Sequence, residues 1–265
     1  TINKAAQAAL SIDGVPNKTY GDANFPLSTT GGSGNGAVTY AVTAGTDVVS
    51  VTSAGEVTVL KAGTATIKAT KAGDTNYNAK TGTVEITVQG AKPTVTWGTT
   101  AQSTDYTGSP VLASVLTAPT VTLVKGETFK GTIQYAYKET GLFTGYTDGL
   151  PTAAGEYTIK AKIAAEGNYT EAESTNTMTL TISRADNSIN NSSTTNMYYG
   201  ESFHIEYSIV NMDTTQPTFT CEYKERTADD STYTTTLPTN AGEYTMRVSA
   251  TATPNYNACS AEQNF

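Results

Sequence analysis

One histidine, one tryptophan and two cysteines are all that 265 residues contain of these types, and each scarcity closes off a chemistry. A lone imidazole with no cysteine cluster nearby cannot assemble a zinc site, so no metal and no cofactor are expected. Nor does it make a catalytic triad: no GxSxG elbow is present. His204 stands in "SFHIEYSIV", where Phe203, Ile205, Tyr207 and Ile209 alternate inward and leave His204 and Glu206 facing solvent. Basic residues are short as well, 16 against 24 acidic ones, for a net charge of -8. Without a basic stripe, nucleic acid and anionic membrane surfaces are disfavoured partners. No run nears the ~20 apolar residues that span a bilayer, so no membrane insertion is expected in this segment. The opening "TINKAAQAAL" lacks the apolar centre of a signal peptide, and any export signal is expected upstream or already removed.

Leucine is scarce and no window sustains 3.6-residue apolar spacing. Threonine, in contrast, is about one residue in five, and 16 tyrosines outnumber 6 phenylalanines. β-Branched and aromatic side chains suit a pleated, half-buried surface, so the fold class is all-β.

A phrase recurs three times: "AGTATI" at 62–67, "AGEYTI" at 154–159 and "AGEYTM" at 241–246. From Gly63, Gly155 and Gly242 it is fourteen residues to Tyr77, Tyr169 and Tyr256, each preceded by Asn, and the copies lie 92 and 87 residues apart. A period near 90 fits an array of small domains of immunoglobulin-like size. "TIQYAYKE" (132–139) matches "TFTCEYKE" (218–225), "GLPTAAGEY" matches "TLPTNAGEY", and "YGD" at Tyr20, "YTG" at Tyr106 and "YGE" at Tyr199 are cognate turns. Three tandem immunoglobulin-like β-sandwiches in an elongated array follow, at 1–89, 90–184 and 185–265, with short junctions of restricted freedom. Aligning Tyr169 with Tyr256 places Phe265 opposite Met178, so the last strand is expected to stop about four residues short of Ile182.

After each glycine the residues alternate. Tyr157, Ile159, Ala161 and Ile163 face one way, Thr158, Lys160 and Lys162 the other; 244–250 and 65–70 repeat the pattern. Such period-two spacing predicts a strand with one buried face. Glycine at its head permits a turn, and the side chain of the Asn before each Tyr is expected to bond its own backbone and hold the exit turn. Strands are expected near 9–12, 25–29, 38–42, 48–51, 56–59, 63–70 and 83–88; near 93–97, 120–124, 132–138, 156–163 and 176–182; and near 203–210, 218–224, 243–250 and 261–265.

"GEVTVLKAGTATIKATKAGDTNYNA" resembles a bacterial immunoglobulin-like domain of the invasin/intimin group. The second and third copies, with "Y-x-G" early and "LPT-x-AGEYT" late, are similar to the MBG/YDG-type repeats of bacterial surface proteins. The resemblance implies an exported adhesin or cell-wall protein at the bacterial cell surface. It carries over no catalytic residue, so the segment is expected to be a non-enzymatic stalk or spacer and a monomer. A host glycan or surface protein is the expected partner class.

Features unique to one copy are the better functional candidates. Phe143 in "ETGLFTGYTDG" has no aromatic counterpart and is a candidate glycan contact, as is Trp97, although Trp97 sits in an alternating strand that suits a core. Tyr146 and Tyr233 recur and are assigned to packing. "GGSGNGA" (31–37) loosely matches a dinucleotide fingerprint, but the strand "AVTYAV" follows where a helix is required, so a hairpin connection is expected. No DxDxDG loop occurs; Asp22, Asp47 and Asp74 are the acids that would converge on a calcium ion at domain ends. Nothing selects a carboxylate pair for glycoside hydrolysis. Cys221 and Cys259 either pair across the third copy, closing a loop of about 38 residues, or remain buried thiols.

Overall fold

The structure, a computed structural model, describes residues 1–193 and 195–265. It is all-β: 44% of the chain is strand, and among the described residues the helical turns are three short 3-10 segments. The sheets are those of tandem immunoglobulin-like sandwiches. Two compact units divide the chain. Unit 1 comprises Thr1–Gly98, Pro119–Gln134 and Lys160–Asn176; unit 2 comprises Thr99–Ala118, Tyr135–Ile159 and Thr177–Phe265. The second sequence copy supplies segments to both.

In unit 1 a four-stranded sheet runs in the order Lys18–Thr19, Lys80–Gln89, Gly63–Lys71, Val38–Ala44. A three-stranded sheet of Phe25–Pro26, Glu56–Val59 and Val49–Val51 accompanies it. The core between them gathers Phe25, Val49, Val57, Val59, Ile67 and Ile86. Alternation along Gly63–Lys71 is as the pattern requires, with Ala65, Ile67 and Ala69 buried. Leu10–Asp13 pairs with Ser28–Gly31, and the glycine-rich segment leads from there to Val38–Ala44, which pairs with Gly63–Lys71 in another sheet, so the expected hairpin is instead a connection between two sheets. Gln7 braces it, accepting from the Ser33 N–H at 3.1 Å while its amide donates to the carbonyls of Ala72 and Asn78.

Within unit 2, residues 155–159 of the strand Gly155–Ile163 bury Tyr157 and Ile159 and pair antiparallel with Met178–Ser183, from Gly155 opposite Ile182 to Ile159 opposite Met178. The third copy centres on Phe219–Glu225, Tyr244–Ala250 and Cys259–Asn264, with Ile189, Tyr223, Met246 and Val248 as its core.

Glycine in "AGEY" has a reason beyond turning. The Tyr157 hydroxyl donates back to the Ala153 carbonyl at 2.9 Å, and that of Tyr244 to Asn240 at 3.1 Å. Each ring thereby folds over the glycine two residues earlier, so a methyl at Gly155 or Gly242 would sit 3.3 or 3.0 Å from the phenol oxygen.

Several expectations need correction. The strand expected over 203–210 shortens to Tyr207–Ile209, and Ile205 is exposed, because Ile189–Asn191 pairs only with that stretch. Ala101–Asp105 is a strand that no apolar pattern announces: it joins Met178–Ser183 in parallel and buries neither face fully. The span 25–29 breaks at Leu27, whose N–H goes to the Gly55 carbonyl. In Tyr244–Ala250 the buried face slips at its start, where Thr245 is buried and its hydroxyl donates to the Asn264 side chain at 2.8 Å.

Candidate functional site

The Asn-Tyr turns are where the repeated residues meet. Each turn is first fastened within its own copy. The N–H groups of Ala5, Ala91 and Ala185 donate to the carbonyls of Asn76, Asn168 and Asn255 at 2.8, 2.9 and 3.0 Å. Return bonds from Asn78, Thr170 and Asn257 to the same alanines are all 2.9 Å. The residue three before the tyrosine closes the turn: Asp74 with Tyr77, Glu166 with Tyr169, Thr253 with Tyr256. Asparagine was expected to hold this turn with its side chain. In the second and third copies its side-chain oxygen points elsewhere.

In unit 1 the Asn168 Oδ1 accepts from the N–H of Ala62, the first residue of the "AGTATI" phrase, at 3.0 Å. In unit 2 the Asn255 Oδ1 accepts from the N–H of Ala154, first residue of "AGEYTI", at 2.8 Å. Tyrosines seal both contacts. Tyr20 of "YGD" meets Tyr169 edge to face with ring centres 5.7 Å apart, and Tyr106 of "YTG" meets Tyr256 in the same way at 5.4 Å. Thus the asparagine and tyrosine of one copy engage the phrase and early turn of the copy before it. This joint occurs twice, with the same residues in the same roles.

Each joint has its own electrostatic brace. In unit 1 the Glu127 carboxylate accepts from both phenols, Tyr20 and Tyr169, the latter at 2.6 Å. These donors, Tyr169 before Tyr20, hold its carboxyl below the usual carboxylate range. Tyr169 is pushed well above an ordinary phenol, by burial and then by its bond to Glu127. Tyr20 rises too, first through Glu127 and then through burial. Lys125 reaches the Val59 carbonyl at 3.4 Å with its ammonium 4.6 Å from the Tyr20 ring centre. In unit 2 the brace is Asp213, accepting from the Asn255 N–H at 2.8 Å, the Asn255 amide at 3.1 Å and the Thr253 hydroxyl at 2.9 Å. Burial works against its charge, yet these donors outweigh it and hold the carboxyl low.

The residues singled out in the sequence lie apart from the joints. Phe143 projects fully into solvent from a loop of unit 2. Trp97, at 2% exposure, belongs to the interior of unit 1, and its candidacy as a ligand contact is withdrawn because it offers no face. Tyr146 and Tyr233 each lie under the lysine of "YKE", Lys138 at 5.5 Å and Lys224 at 5.3 Å; Arg247 covers Tyr233 at 3.9 Å.

Asp22, Asp47 and Asp74 do not converge. Asp22 takes the Thr19 N–H, Asp47 pairs with Lys61 at 3.2 Å, and Asp74 takes the N–H groups of Asn35, Asn76 and Tyr77. Among the described residues no group of three metal-ligating side chains is assembled. His204 is exposed, 3.8 Å from Glu206.

Cys221 and Cys259 are free thiols. Tyr244–Ala250 lies between their strands, with Cys221 opposite Val248 and Cys259 opposite Ala250. Strands two apart stand roughly 9–10 Å from each other, beyond the ~7 Å that a disulfide bridges. Burial raises both thiol pKa values.

The joints had one sequence signal, the constant interval from Gly to Tyr. It pointed to a repeated part but not to contact between successive parts.

No protein-family model and no curated protein matches the chain. Among solved structures, it is similar to mouse cadherin-23 repeats EC22–24, with 14% identity, 97% of this chain and 98% of that chain covered, and a TM-score of 0.28. Immunoglobulin domains 1–5 of Sidekick-1 give 12% identity over 98% of this chain and 58% of that one, with a TM-score of 0.36. A SusE-like, surface-located polysaccharide-binding protein of Bacteroides thetaiotaomicron gives 13% identity over 85% and 44%, at 0.26. Superpositions at these scores carry no inference about ligand or partner.

Proposed function

We propose that this chain is a non-enzymatic stalk segment of a bacterial cell-surface protein, built of three sandwiches at 1–89, 90–184 and 185–265. Its work is to hold a binding element away from the cell. The joint that recurs in both units supports this reading, because a spacer needs defined junctions more than it needs a pocket. Each junction couples a buried-edge hydrogen bond to an aromatic pair, and together these resist hinge bending. Three sandwiches in line, with strands of ~7–9 residues plus loops, extend on the order of 100–120 Å. Small-angle scattering tests this: a maximum dimension in that range is expected, and a compact particle near ~60 Å would remove the stalk reading.

The exposure of Phe143 favours a second reading, a glycan- or mucin-binding module that stacks a sugar face on this ring. Glycan-array binding abolished by Phe143→Ala is its expected signature. An array without any binding leaves the stalk.

A further inference from the structure

Unit 1 holds a cavity of about 240 Å³ beside its joint, and every residue around it belongs to that unit. Its floor is apolar, with Ile163 buried and Leu123 and Phe129 half-buried. Thr128, Lys130 and Glu166 stand exposed at its rim. The Phe129 Cζ and the Glu166 Oε2 both lie 2.8 Å from where a Cβ on Gly131 would stand, so ring and carboxylate are close neighbours. Asn168 and Tyr169 also border the cavity, but the Asn168 Oδ1 is engaged with Ala62 and the Tyr169 phenol with Glu127. The rim groups are not engaged: among the described residues nothing bonds the Thr128 hydroxyl, the Lys130 ammonium or the Glu166 carboxylate.

Comparison of the copies separates this cavity from the joint. Aligning "TIQYAYKE" with "TFTCEYKE" sets one brace, Glu127, against the other, Asp213, while Phe129 and Lys130 fall against Thr215 and Gln216. Aligning the Asn-Tyr turns sets Glu166 against Thr253. The brace recurs at both joints, whereas the ring and the two free charges occur at one. Fastening the copies therefore does not require them.

We infer that this cavity binds one neutral pyranose ring, as at the end of a glycan. A sugar has a C–H face that packs on an aromatic ring and an edge of hydroxyls that both donate and accept. Glu166 accepts from such hydroxyls and Lys130 donates to them. The two free charges are of opposite sign, so an ionic ligand would meet one like charge, and a neutral one meets none. The volume is below the ~300 Å³ at which drug-sized sites begin, which leaves room for a single ring. Phe143 belongs to unit 2, so this is a separate site, and it depends on neither reading above.

The test titrates the isotope-labelled full chain with methyl β-glucoside, methyl β-galactoside, methyl α-mannoside and N-acetylglucosamine. At least one is expected to move the amides of 127–131 and 166–169 saturably, with dissociation on the order of millimolar for so small a ligand. Glu166→Ala changes an exposed side chain and keeps the backbone pairing with Tyr169, so it is expected to fold as the wild type does. It should weaken binding about tenfold or more. Phe129→Leu keeps an apolar floor without a ring face and should weaken binding about three- to tenfold. Phe143→Ala should leave it unchanged. Absence of shifts in these segments with all of the sugars at about 100 mM would overturn the inference. Undiminished binding by Glu166→Ala, or tighter binding of glucuronate or lysine than of any neutral sugar, would do the same. Binding lost in Phe143→Ala but kept in both cavity variants would overturn this site and sustain the Phe143 reading instead.

Discussion

Two phenols donate to one carboxylate at Glu127, and this gives unit 1 a pH response of known sign. The folded carboxyl titrates below its unfolded value of ~4.3, so its contribution is present above that pH and is lost as the pH falls through the folded value. Tyr20 and Tyr169 titrate above the unfolded value of ~10, so theirs is present below pH ~10 and is lost as the pH rises toward the folded values. Thermal melting across pH is therefore expected to show both an acid and an alkaline fall. Glu127→Gln flattens the acid side, and an unchanged acid limb in that variant would contradict the assignment. Tyr169→Phe removes a charged hydrogen bond and is expected to cost about 1–2 kcal/mol, a shift of about 2–4 °C per kcal/mol. Phe143→Ala touches nothing in the fold and is expected to stay within about 0.5 kcal/mol of wild type. Thiol titration completes the residue scale. In denaturant two thiols should react, and in the native state both should react slowly, because burial disfavours the thiolate.

Among the elements, Lys80–Gln89 has one position that its neighbours fix. A methyl on Gly82 would lie 2.2 Å from the Leu10 carbonyl, because Leu10–Asp13 crosses the strand there. Gly82→Ala is expected to destabilise by about 1–3 kcal/mol through overpacking, measured by denaturant unfolding. Strands with one apolar face were legible in the sequence: Gly63–Lys71 and Gly155–Ile163 bury the residues that alternation selects. Ala101–Asp105 was not legible, since "AQSTD" is polar on both faces and is a strand only because Met178–Ser183 offers it an edge. The candidate site was half legible. Counting found Asn168-Tyr169 and Asn255-Tyr256, but backbone pairing to Ala91 and Ala185 leaves the asparagine side chains free to reach another copy. No local pattern encodes that reach.

For the whole molecule, the joints set how independently the copies behave. Asn168→Ala removes the acceptor of the Ala62 N–H, and Asn255→Ala that of Ala154. Each is expected to cost about 1 kcal/mol and to loosen one junction. The combined variant should broaden the distance distribution in small-angle scattering without changing the far-ultraviolet circular dichroism of the strands. If the double variant scatters as the wild type does, the asparagines are not what stiffens the chain.

The alanine clamps join the opening of each copy to its closing turn, Ala91 to Asn168 and Ala185 to Asn255. On the ribosome, then, the fastening for an earlier copy emerges only after almost all of the next copy has been made. Until that moment Tyr20 and Tyr106 lack their partners Tyr169 and Tyr256, and a protease cut late in one copy is expected to unfasten the copy upstream.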